Sequence, residues 1–247
     1  TPPPCAALAR HELARTRGVA AVTPPSRFVL QRHLDAGAFP GARAEAVPNA
    51  CEEIPDDVPV RRADDSPRGL YLGHLDVHKG VALLLEVLDT LFADPAMAAL
   101  SFDFAGAGPM ADEVGAFCRQ HPERARFHGV VAGEAKRDLL RRAAWVMVPS
   151  VWNDNFPRTM LDAFSWGLPV IGSCRGGIPE VVRADRDGLI VEPETENLAR
   201  AIRTYVTDPE LRLTHGASAR AHATDYTLAR QVDRFEAIYR TLLEGDS

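Results

Sequence analysis

Leu70-Tyr71-Leu72-Gly73-His74-Leu75-Asp76-Val77-His78-Lys79-Gly80 is the stretch on which the reading of the fold turns. A short apolar run ends at a glycine, a polar loop follows, and an amphipathic segment opens at Gly80. The same unit recurs to the end of the chain. The spacing predicts strands at Leu70–Leu72, Phe102–Ala105, Ala125–Phe127, Trp145–Val148, Pro169–Ile171 and Leu189–Val191. It predicts helices over 80–93, 110–120, 134–143, 158–166, 195–207, 209–222 and 227–243. Strands that alternate with helices need crossover connections, and crossovers build a buried parallel sheet. Such crossovers are right-handed, so the expected class is α/β, with a doubly wound parallel sheet. Ligands of these sheets lie beyond the carboxyl ends of the strands, where strand order reverses. The loops after the strands are therefore the places to look for chemistry.

Residues 1–50 read as a smaller piece, with a helix over Leu8 to Arg17, a short strand at Val19–Val22, and Ser26 capping a helix that ends near Ala36. Residues 51–68 are rich in acids and proline without periodicity, as expected of an extended linker. The chain of 247 residues is long enough to bury a large core without disulfides or metals. Its net charge of −6 argues against a nucleic-acid surface, which needs a basic stripe to displace counterions. Lysine occurs only as Lys79 and Lys136, the other basic residues being arginine, a bias in keeping with a high-GC bacterial genome. Cys5, Cys51, Cys118 and Cys174 form no C-x-x-C pair, so zinc and thioredoxin-type sites are not expected. Free thiols fit a reducing cytoplasm, and no apolar run reaches membrane-spanning length. The start Thr1-Pro2-Pro3-Pro4 reads as a cut edge, so the chain is expected to be part of a longer polypeptide.

Four loops carry candidate chemistry. In the first, Gly73 lets backbone approach a ligand and Lys79 adds charge where a helix begins, a setting that suits phosphate; the alternative is a plain turn with a surface lysine. In the second, Gly106-Ala107-Gly108-Pro109-Met110-Ala111 follows a strand in the manner of a dinucleotide fingerprint. That reading needs an acid about 20 residues on to hold a ribose, and the stretch there is Phe127-His128-Gly129. A tight helix–strand turn competes with it. In the third, Asp154 precedes a helix opened by Pro157, and Asp162 lies in its second turn. Each acid alone reads as a cap or a solvated face. Together they suit a polyol, with carboxylates accepting from hydroxyls and free helix amides donating between them. The fourth, Arg175-Gly176-Gly177-Ile178-Pro179-Glu180, is either a close approach to ligand or a tight turn.

Taken together, these residues resemble family 4 retaining glycosyltransferases of the two-domain GT-B fold. That family carries G-R-L-x-x-x-K-G, then two glutamates eight apart, then G-x-P-V-I and G-G-x-P-E. Here the sequence reads Gly73-His74-Leu75 with Lys79-Gly80, then Asp154 and Asp162, then Gly167-Leu168-Pro169-Val170-Ile171, then Gly176-Gly177-Ile178-Pro179-Glu180. The match runs over roughly residues 68–192. It implies a Rossmann-like nucleotide-sugar-binding domain over 69–226, one half of a GT-B fold. Residues 1–50 would be the end of the amino-terminal acceptor domain, 51–68 the linker, and 227–247 a carboxyl-terminal helix. The resemblance places Lys79 and His74 on the donor's diphosphate, Asp162 on the ribose and Asp154 on the donor sugar, with Lys79, Asp154 and His74 as the catalytic group. Gly73 and the backbone of Phe156, Arg158 and Thr159 would meet sugar or phosphate, and Gly106, Gly108, Gly129 and Val130 would lie near the base and phosphates. Both acids are Asp where the family has Glu, His74 stands for an Arg, and the family's amino-terminal glycine-rich loop has no counterpart.

The chemistry so implied moves a sugar from a UDP-, GDP- or ADP-sugar to an acceptor hydroxyl with retention. Stabilising the departing diphosphate is its main demand. The family class is metal-independent, the chain has no D-x-D signature, and no cofactor or metal is expected beside the co-substrate. The acceptor is unassigned, and peripheral membrane contact would suit a lipid acceptor. Three other readings keep a nucleotide-binding sheet: a nucleotide-sugar-binding subunit without catalysis, a nucleotide-sugar epimerase, and an NAD oxidoreductase. The amphipathic helix near the end, with Val232, Phe235, Ile238 and Leu242 at helical spacing, packs either on its own domain or on the acceptor side. Histidine, unlike arginine, changes charge across the physiological range. His74→Arg is therefore expected to flatten the pH profile of donor affinity, measured by titration calorimetry; an unchanged profile rejects a phosphate role for His74.

Overall fold

The computed structural model describes residues 12–245. Six strands form the central sheet: β3 (Arg68–Leu72), β4 (Ser101–Ala105), β5 (Ala125–Phe127), β6 (Trp145–Val148), β7 (Val170–Ser173) and β8 (Gly188–Val191). All pair in parallel, in the order β5-β4-β3-β6-β7-β8. Every residue of β4, β6 and β7 is buried, which requires cover on both faces. Alternation of side chains along each strand divides the core in two. Tyr71, Phe102, Phe104, Trp145 and Met147 meet helices α2 (Val81–Phe92), α3 (Ala111–Gln120) and α7 (Thr195–Thr207). Leu70, Val146, Val148 and Val170 meet α4 (Gly133–Arg142), α5 (Arg158–Ser165), the short α6 (Ile178–Val181) and α8 (Pro209–Ala223).

The chain builds outward from β3 through β4 to β5, then returns to lay β6 against β3 and continues the other way. Strand order therefore reverses between β3 and β6, and the loops that follow these two strands face each other. The predicted strands and helices of this domain are all present. One departure matters: the helix expected over 80–93 begins at Val81, because Val77–Lys79 forms a separate 3-10 turn. Asp76 caps that turn by accepting from the His78 amide at 2.8 Å, and Gly80 breaks it from α2 with φ of 76°.

Most of the helix expected over Leu8 to Arg17 lies outside the described residues; the described part is helical over 12–15. The strand expected at Val19–Val22 is shorter, β1 (Ala21–Val22), and pairs in parallel with β2 (Arg43–Ala44). Ser26 caps α1 (Arg27–Asp35) as expected, its Oγ accepting from the Val29 amide at 3.3 Å. Glu180 adds a long-range cap, accepting from the amides of Arg27 at 2.8 Å and Phe28 at 2.5 Å.

Residues 51–67 contain no helix or strand and are fastened along the domain. Cys51 donates its amide to Tyr226 O at 2.7 Å, and its buried side chain joins the core with Ile54. Arg61 donates to the carbonyls of Leu140, Arg141 and Ala143 at the end of α4 and to Trp166 O after α5. Arg220 donates to Pro55 O at 2.5 Å and to Ser165 O. Guanidiniums thus satisfy carbonyls that helix ends leave open. A cavity of about 700 Å³ lies beside this strap at the amino-terminal edge of the sheet. Its Arg61, Arg212 and Arg220 serve backbone carbonyls.

Helix α9 (Leu228–Gly245) lies against the segment after β2, with Gln231 donating to Pro48 O at 2.7 Å and Arg234 near Glu45 at 3.8 Å. Of its expected apolar stripe only Ile238 is buried, and Val232 is 44% exposed.

Asp187, fully buried before β8, ties that turn to α8. It accepts from Arg183 through Nε and Nη2 at 2.6 Å each, from His222 Nδ1 at 2.7 Å and from Ser218 Oγ at 2.9 Å. Burial pushes this carboxyl up, but the hydrogen bonds from His222, Arg183 and Ser218 outweigh it and hold the group well below the usual range. A folded-state pKa below the unfolded value of about 3.9 gives stability that is present above that value and lost as pH falls through the folded pKa. Asp187→Ala is expected to cost about 3 kcal/mol at pH 7, as for other broken buried pairs. The gap to wild type should close as pH drops below about 4. Denaturant unfolding at a series of pH values checks both.

Candidate functional site

The loop after β3 is held by its neighbour: Gly73 N donates to Ala105 O at 3.0 Å and Leu75 N to Ala107 O at 2.9 Å. Tyr71, buried, donates its hydroxyl to His74 O at 2.6 Å. Burial, with Asp154 and Asp76 nearby, pushes the phenol's pKa up, so it stays a donor. The loop after β6 is stitched to this one by the amides of Val151 and Trp152, which donate to His78 O at 3.1 and 3.2 Å.

Behind the β6 loop stands the Gly176-Gly177 turn. Gly177 N donates to Asp154 O at 2.7 Å. A Cβ on Gly176, whose φ is +60°, would lie 2.0 Å from Asp154 O. The glycine pair therefore sets the Asp154 backbone in place, a role distinct from both the ligand approach and the plain turn that the sequence suggested.

Across the reversal, Lys79 Nζ donates to Asp154 Oδ2 at 2.5 Å, and Ser150 Oγ donates to the same oxygen at 3.2 Å. The Asp154 side chain is 11% exposed and that of Lys79 38%. The pair lies on a cavity of about 290 Å³ whose walls include Gly73, His74, Phe156, Arg158 and Thr159. Seven of the residues singled out in the sequence thus line one cavity: Gly73, His74, Lys79, Asp154, Phe156, Arg158 and Thr159. His74 lies at its open rim, 59% exposed, with Nε2 3.9 Å from Asp76 Oδ2.

Asp162 does not share that cavity. It lines a neighbouring one of about 50 Å³ with Lys136, Glu52 and Trp166. Lys136 Nζ donates to Asp162 Oδ1 at 2.9 Å and to Glu52 Oε2 at 3.0 Å. The acids part because Asp162 lies one helical turn beyond Arg158 on α5, where α4 and the strap close over it. Arg158 belongs to the wall of the first cavity, and its charge also acts on Asp162 and Glu52. Burial pushes the Asp162 carboxyl up, while the hydrogen bond and charge of Lys136 pull it back.

Gly106 and Gly108 line neither cavity. A Cβ on Gly106 would lie 1.8 Å from Gly73 O, and one on Gly108 2.2 Å from Leu75 O, so these glycines let the β4 loop back the β3 loop. Gly129 accepts from Gly106 N at 2.7 Å, and Val130 is 76% exposed beyond β5, also on neither cavity. Sequence reasoning missed Lys136, Glu52 and Ser150. The signal for Lys136 was present, since it is one of two lysines in the chain. Among the described residues no group of three or more His, Cys, Asp or Glu is gathered for a metal, and no helix is long and apolar enough to cross a membrane.

Residues 66–208 match the family model described as glycosyl transferases group 1. A D-inositol 3-phosphate glycosyltransferase of Streptomyces griseus is 35% identical over 102 residues, covering 41% of this chain and 21% of that protein. A sulfoquinovosyl transferase of Arabidopsis thaliana is 26% identical over 166 residues, 66% of this chain and 31% of that protein. The chain thus spans about a fifth to a third of the length of these relatives. Among solved structures, Anabaena HepE in complex with UDP superposes with a TM-score of 0.79 at 18% identity, covering 94% of this chain and 67% of that one. A sucrose-phosphate synthase from Thermosynechococcus elongatus gives 0.77 at 22% identity, covering 97% and 62%.

Gly176→Ala forces a side chain into left-handed backbone against the Asp154 carbonyl, and is expected to cost about 2 kcal/mol or more. Gly129→Ala, at φ +64° with nothing within 4 Å, carries the backbone penalty alone, about 1 kcal/mol. Thermal unfolding of the two variants separates close approach from conformation.

Proposed function

The chain belongs to the group 1 glycosyl transferases, and we propose that its sheet-end crevice binds a nucleotide sugar of the UDP, GDP or ADP type and supports transfer of the sugar to an acceptor hydroxyl with retention. The observation that carries this reading is the meeting of Lys79 and Asp154 at the strand reversal, 2.5 Å apart beside the start of α5.

The reaction breaks the bond from the anomeric carbon to the diphosphate and forms one to the acceptor oxygen. Charge grows on the departing phosphate, so cations and amides fixed there before the reaction lower the barrier. Lys79 supplies a point charge. Arg158 supplies a second at the first turn of α5, where the amides of Arg158 and Thr159 have no partner within the helix. Asp154 accepts from hydroxyls of the donor sugar. Its bond to Lys79 makes the two residues a preset unit, from which a diphosphate draws the ammonium while the carboxylate turns to the sugar.

His74, at the rim, adds a donor to the phosphates. Asp162, in the adjoining cavity, takes the ribose, with the diphosphate lying past Arg158 between the two aspartates. The acceptor docks from the side that the β3 and β6 loops leave open. The reading assigns this chain the donor side and leaves the acceptor open. The reading expects no metal.

Lys79→Met is expected to lower turnover by about 100-fold or more, as for removal of one donor to a developing oxyanion. The assay follows release of nucleoside diphosphate from UDP-, GDP- and ADP-glucose, with calorimetry of UDP, GDP and ADP alongside. Proton NMR of the glycoside reports the anomeric configuration. Wild-type protein that binds none of the three nucleotides sinks the proposal.

A further inference from the structure

The chain's two lysines are each hydrogen-bonded to one of the two aspartates set eight residues apart. Every other basic residue among the 28 is arginine. Resting on the donor-site reading above, we infer that Lys136 is a positioning residue that holds Asp162 ionised and aimed at the ribose, taking one carboxylate oxygen and leaving the other for sugar hydroxyls.

The geometry gives Lys136 this task. It projects from the first half of α4, its side chain 22% exposed, and reaches Asp162 Oδ1 at 2.9 Å. Glu52 of the strap holds the same ammonium from the other side at 3.0 Å, which fixes the direction of the lysine. Among the described residues nothing hydrogen-bonds Asp162 Oδ2, although the carboxylate is only 17% exposed. That oxygen is not sealed from solvent, so it is open to accept from a ligand hydroxyl. Asp162 lies one helical turn beyond Arg158, which lines the first cavity and whose charge acts on this carboxylate.

Why the residue is lysine follows from shape. An ammonium is a compact point charge that serves one oxygen, whereas a guanidinium presents a planar fork that takes both. In a chain that otherwise uses arginine, a fork at this position would close Oδ2 to hydroxyls. A neutral residue would leave the carboxylate desolvated without its partner and push it toward the protonated form. The charged and titratable groups around Asp162 are Lys136 and Arg137 on α4, Cys51, Glu52 and Glu53 on the strap, and Arg158 on its own helix, with Arg137 paired to Glu53. With Lys136 gone, the hydrogen bond that opposes burial and the charge of Glu52 is lost.

The test is titration calorimetry of UDP, GDP and ADP, each beside its 2′,3′-dideoxy counterpart, on wild type, Lys136→Met and Lys136→Arg. Wild type is expected to favour the best ribonucleotide over its dideoxy form by about tenfold or more, the worth of a hydrogen bond to a charged group. Both variants are expected to lose that preference while the dideoxy form binds them nearly as it binds wild type. Any residual ribose preference in Lys136→Met should shrink further as pH is lowered from 8 to 5.5, and in Lys136→Arg it should not change with pH. If Lys136→Met does not unfold cooperatively, Lys136→Arg, which keeps the charge, carries the comparison. Equal weakening of both nucleotide forms marks Lys136 as structural only and overturns the inference. So does a wild type that binds a nucleotide without preferring ribose, or an arginine variant that keeps the preference. A wild type that binds no nucleotide overturns the donor-site reading as well.

Discussion

Lys79 and Asp154 are 75 residues apart in sequence and in hydrogen-bond contact in space. Everything else in the site follows from what brings them together. A sheet built outward from β3 and then resumed at β6 leaves two loops opposed at one end, and no other pair of strands in this order does so. The loops approach closely because backbone meets backbone there: His78 O takes two amides from the β6 loop, and Asp154 O takes one from the turn after β7. The ion pair is thus held by the layout of the sheet rather than by local sequence. An isolated surface pair of this kind is worth little; here the loops are fixed independently of it, so its value lies in where it places the charges.

The sheet was legible because its signal is local and repeated. Alternating apolar runs and amphipathic segments fixed the order of elements, and strand reversal then pointed to the loops that enclose the Lys79–Asp154 cavity. Lys79, Asp154, Arg158 and Thr159 could be grouped from sequence because each directly follows a predicted strand or opens a predicted helix. What could not be read depends on long-range packing. Asp162 was expected on the ribose, and the partners that surround it, Lys136 and Glu52, come from a helix and a strap distant in sequence. Gly106 and Gly108 follow a recognisable motif, yet what they touch is the adjacent loop. A glycine pattern records that something comes close without recording what.

The same limit explains the carboxyl-terminal helix. Its periodicity marked an apolar stripe, but only Ile238 is buried. Periodicity reports that a helix has a face to cover. Which surface covers it is decided by partners that the pattern does not name.

The strap over residues 51–68 bears on how far the domain stands alone. The family match begins at residue 66, yet Arg61 closes the carbonyl ends of α4 and reaches past α5, Pro55 receives Arg220, and Cys51 lies in the core. The sheet's structural autonomy therefore starts upstream of its homology. A segment cut at the homology boundary would keep every strand of the central sheet and lose the clasp that shields two helix ends from water.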